Sequence, residues 1–214
     1  MENKVYYTML GDSISLGYTK FVDKYLPDNF EHTKKSGDKE AFINLDLPRG
    51  SNCGDSGRML SYIKDYYESG VLDKDFYTIN CGLHDIKRSR ETGLLQIPLD
   101  AYIQNLHNIL DLMQSQNIPI VFINSTPSAT ERYSKVRSFY RLTEDIPVYN
   151  KAAEQVMTAR KIPVIDLYAF TCALGLTGDD LFRDHTHFQP EVIRLQAAYL
   201  AGCLGTIMTQ EELA

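Results

Sequence analysis

Short β-rich runs alternate along this 214-residue chain with segments whose apolar residues recur at helical spacing, and that alternation narrows the architectures open to it. Residues 4–10, 41–45, 76–81, 118–124 and 163–167 read as five strands. Helices are expected over about 18–25, stopped by Pro27, over 58–69, stopped by Gly70, and over 99–116 and 147–160. A last helix begins near Pro190, whose missing N–H suits a first turn. Strands separated by helices of this length point to a parallel sheet covered on both faces, an α/β fold of about five strands. No internal repeat, low-complexity tract or linker divides the chain, so residues 1–214 are expected to form a single domain.

In such sheets ligands sit beyond the carboxyl ends of the strands, where the loops emerge. Ser13 follows the first strand, residues 80–85 follow the third, and the segment from Ser125 follows the fourth, so all three open onto one edge. Composition limits what could bind there. Acidic residues outnumber basic ones 28 to 22 and no basic run exceeds Lys34-Lys35, so nucleic acid is not an expected partner. No apolar stretch approaches the length of a membrane span, and Met1 to Lys4 lead straight into the first strand, so a cytoplasmic location is expected. The four cysteines form no CxxC pair and are expected to be free and mostly buried.

Two short motifs at opposite ends of the chain carry chemistry. Gly11-Asp12-Ser13 follows the first strand, and Asp184-His185-Thr186-His187 precedes the last helix. A serine hydroxyl is a poor nucleophile until a base removes its proton, and a histidine serves best when a carboxylate holds its ring in one tautomer. Ser13, His187 and Asp184 supply those three parts, provided that the fold brings the two ends together.

These motifs, with Asn52-Cys53-Gly54-Asp55-Ser56-Gly57 and Gly82-Leu83-His84-Asp85 between them, make the chain similar to the SGNH, or GDSL, hydrolase family over almost its whole length. The resemblance implies a flavodoxin-like three-layer α/β/α sandwich and a serine mechanism without a cofactor or metal. It implies Ser13 as nucleophile, His187 as base, Asp184 as orienting acid, and an oxyanion hole made of the backbone N–H groups of Ser13 and Gly57. The family usually carries Gly-x-Asn-Asp in its third motif, with the asparagine amide as a further oxyanion donor. Here His84 stands in that place, and an imidazole N–H could take over the role.

Two competing readings remain at the level of sequence. Gly54-Asp55-Ser56-Gly57, with His32 and Asp46 before it, resembles the nucleophile motif of chymotrypsin-like proteases, but the spacing is far too short and the strand–helix alternation is wrong for that fold. His185 and His187 beside Asp184 resemble a metal site, although a histidine filler inside a DxxH motif gives the same pattern. Asp12 and Asp85 are expected to hydrogen-bond nearby backbone and fix their loops. The segment 125–146 is long for a connection and carries aromatic and charged residues, which makes Tyr133 and Tyr140 candidate substrate contacts. The function expected from these residues is hydrolysis of a short acyl ester, such as an acetyl ester, of a carbohydrate or other polar alcohol. The alternatives are an acyltransferase using the same acyl-enzyme and a noncatalytic ligand-binding domain in which His84 marks a decayed site.

Overall fold

The computed structural model describes residues 4–33, 37–132 and 137–211. Its elements are β1 (Val5–Leu10), α1 (Ser13–Val22), β2 (Phe30–His32), α2 (Asp38–Ala41), α3 (Ser56–Glu68), β3 (Phe76–Ile79), β4 (Arg88–Ser89), α4 (Leu99–Ser115), β5 (Ile120–Ile123), β6 (Phe139–Tyr140), α5 (Asp145–Ala159), β7 (Val164–Ile165), α6 (Leu167–Ala173), α7 (Gly178–Leu181) and α8 (Pro190–Glu211). Five strands form one parallel sheet in the order β2-β1-β3-β5-β7. This is the flavodoxin-like winding, and its direction reverses between β1 and β3. Helices α1 and α8 pack together on one face, while α3, α4 and α5 pack in sequence on the other, giving the three layers.

The central strands explain why the sheet must be covered. Every residue of β3 and β5 is buried, as are the last four of β1, so these runs meet apolar partners on both faces. Tyr7 stacks on Phe76 across the β1–β3 pair at 5.1 Å between ring centroids, and Phe30 sets its edge against both rings. Such pairs add about 0.5–1.5 kcal/mol beyond the area they bury.

The sequence reading places the second strand wrongly. The run 41–45 ends α2 and passes into turns, with Ile43 75% exposed, whereas Phe30–His32 forms the edge strand. An edge strand needs only a few ladder bonds on one side, and three residues are too few to show a period. His32, named in the competing protease reading, lies on β2 with its ring 5.2 Å from that of Tyr7. Helix α1 also starts five residues earlier than expected, because the Asp12 side chain accepts from the Ile14 N–H at 2.8 Å and caps it. The segment after β5 holds a 3₁₀ turn at Thr130–Arg132 and then β6, which pairs antiparallel with β4 in a small ribbon. Cys53 and Cys81 are buried, Cys172 is exposed and Cys203 is half-buried, all as free thiols. Among the described residues no helix is long and apolar enough to cross a membrane.

Gly82, in the loop after β3, has φ +141°, and a Cβ there would lie 2.4 Å from Ser125 Oγ. Ser125 in turn donates to the Cys81 carbonyl at 3.3 Å. Gly82→Ala is therefore expected to destabilise the protein by about 1–3 kcal/mol, read as a lower urea midpoint at unchanged slope. An unchanged midpoint would show that the loop tolerates a side chain.

Candidate active site

Ser13 is the first residue of α1, directly beyond β1 and at the point where the sheet winding reverses. Its Oγ lies 2.9 Å from His187 Nε2, and His187 Nδ1 lies 2.7 Å from Asp184 Oδ2. Asp184 uses its other oxygen to close the turn, Oδ1 accepting from the N–H groups of Thr186 at 2.9 Å and His187 at 2.8 Å. Partial burial pulls this carboxyl upward, but the His187 ring and the two N–H donors outweigh it and hold the group well below the usual carboxylate range. An ionised Asp184 can only accept, so the imidazole proton sits on Nδ1 and Nε2 is left to accept from the Ser13 hydroxyl. The loop bearing His187 is itself fixed. Phe182 and Phe188 stack across it at 5.2 Å, Arg183 donates its N–H to the His187 carbonyl at 2.8 Å, and Ala129 donates to the His185 carbonyl at 2.9 Å.

The two middle motifs are bonded to each other. Ser56 donates its N–H to the Asp85 carboxylate at 3.0 and 3.1 Å and its hydroxyl at 2.5 Å, and Asn105 donates to Ser56 Oγ at 2.9 Å. Burial raises Asp85 to about 7 against the pull of the Ser56 donors. Ser56, the competing serine, is thus a structural tie between α3 and the loop after β3, as Asp85 is. The Cys53 N–H donates to the Gly11 carbonyl at 2.9 Å, which binds the second motif to the first. Gly11 itself has no room for a side chain, since a Cβ would meet that of Ser15 at 2.4 Å.

Gly57 lies in the first turn of α3, where N–H groups have no partner within the helix. It is not on the wall of the cavity beside Ser13. His84 is 1% exposed in the loop after β3. Burial, with Lys87 and Arg141 nearby, holds its ring well below the usual histidine range, so it is neutral. Its Nδ1 is 3.0 Å from Lys87 Nζ.

A cavity of ≈ 290 Å³ opens beside Ser13 and His187 between α1 and α8, walled by Ile14, Phe42, Leu45, Phe188 and Ile193. Tyr140 lies in the β4–β6 ribbon with Arg90 against its ring at 5.7 Å, not on this wall. Tyr133 falls outside the described residues. His185 is buried and held at about 3 by burial and then by Arg137, and its Nε2 is 3.2 Å from Asp46 Oδ1. Among the described residues no group of three or more His, Cys, Asp or Glu side chains could hold a metal ion.

Lys87 and Arg141 are not singled out by the sequence, and Asp46 is named only in the competing protease reading. Arg141 is 1% exposed, donates through Nε to the Leu83 carbonyl, and lies with its guanidinium 5.4 Å from the Phe139 ring centroid. The only sequence signal was Lys87 standing three residues after His84, a spacing that lets two side chains meet across a tight turn.

Known proteins agree with this architecture. Solved structures similar to the chain include a lipase/acylhydrolase from Enterococcus faecalis, at 18% identity and TM-score 0.67, covering 94% of this chain and 96% of that one. An acetyl xylan esterase matches at 16% identity and TM-score 0.66, covering 93% and 99%. A carbohydrate acetylesterase from Sinorhizobium meliloti matches at 12% identity and TM-score 0.64, covering 95% and 100%. No curated protein sequence matches the chain. The sequence profile of the GDSL-like lipase/acylhydrolase family matches residues 9–194, which takes in β1, the Ser13 turn, the His187 loop and the start of α8. With that match across most of its length, the chain belongs to the GDSL-like lipase/acylhydrolase family and is a carboxylic-ester hydrolase.

Proposed function

We propose that the protein is a serine esterase that removes a short acyl group, such as acetyl, from a carbohydrate or other polar alcohol through an acyl-enzyme. The observation that carries this reading is the unbroken hydrogen-bonded chain from Ser13 through His187 to Asp184. As Ser13 Oγ attacks the ester carbonyl, His187 Nε2 takes its proton and Asp184 stabilises the imidazolium. The tetrahedral oxyanion receives N–H donors from the Ser13 backbone, at the positive end of α1, and from His84. Its collapse expels the alcohol, which leaves with the proton from His187, and water then attacks the acyl-enzyme by the same proton path.

Two observations support the substrate class. The resemblance to an acetyl xylan esterase and a carbohydrate acetylesterase agrees with a small acyl group on a sugar. The cavity beside Ser13, ≈ 290 Å³, has Lys20, Arg183 and Gln196 in its lining, and these polar groups suit a polar alcohol.

Ser13→Ala is expected to lower kcat by about 10⁶ and Asp184→Asn by about 10⁴, both with the fold retained. Fluorophosphonate labelling of the wild-type protein should be lost in Ser13→Ala. Labelling that persists in that variant would remove Ser13 as nucleophile. His84→Ala should lower kcat by about 10²–10³ if its N–H faces the oxyanion, while His84→Asn keeps much of the rate. In a series of p-nitrophenyl esters run beside acetylated xylo-oligosaccharides, activity should be highest on the short acyl groups. Cleavage confined to long-chain esters would overturn the short-acyl reading.

A further inference from the structure

An asparagine at the position of His84 would present an N–H whichever way its neighbours titrate, but a neutral histidine presents one at a given nitrogen only if its tautomer is set. We propose that Lys87 is a positioning residue that holds the His84 proton on Nε2 and so turns the substituted side chain into an oxyanion donor. This rests on the esterase reading above.

The Lys87 ammonium is surrounded by acceptors. Its Nζ donates to the Asp46 carbonyl at 2.8 Å, lies 3.0 Å from His84 Nδ1, and stands 4.6 Å from the centroid of the Phe139 ring. A carbonyl oxygen, an imidazole lone pair and an aromatic face are all electron-rich, and a protonated lysine has three N–H donors and no lone pair to offer. Against such a group His84 Nδ1 can only accept. The ring is neutral, so its single proton is on Nε2, and among the described residues no hydrogen bond reaches that nitrogen.

The charged groups around Lys87 come from several elements. Arg141 follows β6, Asp12 caps α1 and Asp55 caps α3, and together with burial they leave the lysine at about 7. Burial is the largest influence and lowers it, Arg141 lowers it further, and the two aspartates oppose them. The sign follows directly. Below about 7 Lys87 is charged and the donor tautomer is enforced. Above it the amine gains a lone pair that can accept from Nδ1–H, and the opposite tautomer, which offers no donor at Nε2, becomes available.

Two measurements test this. In the Ser13→Ala protein, ¹⁵N NMR of labelled histidine reads the His84 tautomer without reference to turnover. The proton is expected on Nε2 at pH 6, with a change of tautomer population centred near pH 7. In Lys87→Met the preference should be lost at both pH values. In the wild-type enzyme kcat should fall as pH rises through about 7. Lys87→Met should lower kcat by about 10- to 100-fold with KM little changed, and should lack that falling limb. Lys87→Arg, permanently charged, should move the limb away and recover part of the rate. A merely structural lysine would shift stability but leave the tautomer and the pH limb in place. A proton on Nδ1 in the wild-type ring, or an unchanged kcat and pH profile in Lys87→Met, overturns the proposal. If Lys87→Met does not fold, the pH dependence of the wild-type tautomer decides alone. Hydrolysis that survives Ser13→Ala would defeat the esterase reading instead, and the NMR result would still stand.

Discussion

The hydrogen bond from Ser13 to His187 spans 174 residues of sequence, and almost every larger feature of the structure is a condition for it. Ser13 is placed by β1, which lies near the centre of the sheet only when β2 pairs on one side and β3 on the other. His187 is placed by the loop that leads into α8, and α8 packs against α1, the helix that Ser13 begins. A fluctuation that separates α1 from α8 therefore also separates Ser13 from His187. Loop closure over so many residues carries an entropic penalty that grows only slowly with length, so the sheet, once formed, can hold the two ends together at modest cost. The remaining precision comes from the small ring of contacts around His187, where stacked Phe182 and Phe188 and the two carboxylate-to-backbone bonds leave the imidazole little freedom.

Around that bond the protein buries more charge than a hydrolytic triad requires. Asp12, Asp85, Lys87 and Arg141 are all enclosed. Isolated, any of them would be expensive to remove from water. Each is instead bonded to main chain: Asp12 to the Ile14 N–H, Asp85 to the Ser56 N–H, Lys87 to the Asp46 carbonyl and Arg141 to the Leu83 carbonyl. The carboxylates tie the first and third motifs to helix starts, and the cations tie the third motif to loops from other parts of the chain. Loops that would otherwise move separately are thereby coupled at the catalytic edge.

How much of this was legible in the sequence depends on whether a signal was periodic or pairwise. The central strands β1, β3 and β5 announce themselves because burial runs unbroken along all or most of each, and the helices α3, α4 and α5 because it recurs on one face. Edge strand β2 has three residues and no repeat, and the apolar run at 41–45, which draws the eye instead, spends Phe42 and Leu45 on the cavity wall. The start of α1 was encoded locally by Asp12 as a cap, but that aspartate was absorbed into the motif that carries Ser13. Ser13, Asp184 and His187 were legible through their motif, and the structure brings them within hydrogen-bond reach. Lys87 and Arg141 were not, because what matters about them is which carbonyl, ring and imidazole they meet, and those partners come from distant segments.

The least legible parts of the chain are also the ones that bear on its departure from the family pattern. The β4–β6 ribbon, which pairs Arg88 with Tyr140 and Ser89 with Phe139, carries Phe139 to the face of Lys87 and leads into Arg141, which binds the carbonyl just before His84. An asparagine in the third motif would not need such neighbours to keep its proton, since its amide carries N–H donors at any pH near neutrality. A histidine does, because a ring with one proton and two nitrogens is informative to an oxyanion only when something else has claimed the other nitrogen. The substitution of one side chain in the third motif and the presence of two buried cations beside it are, on this argument, parts of a single arrangement. On the proposed reading, Phe139 and Arg141 then belong to the oxyanion side of the site.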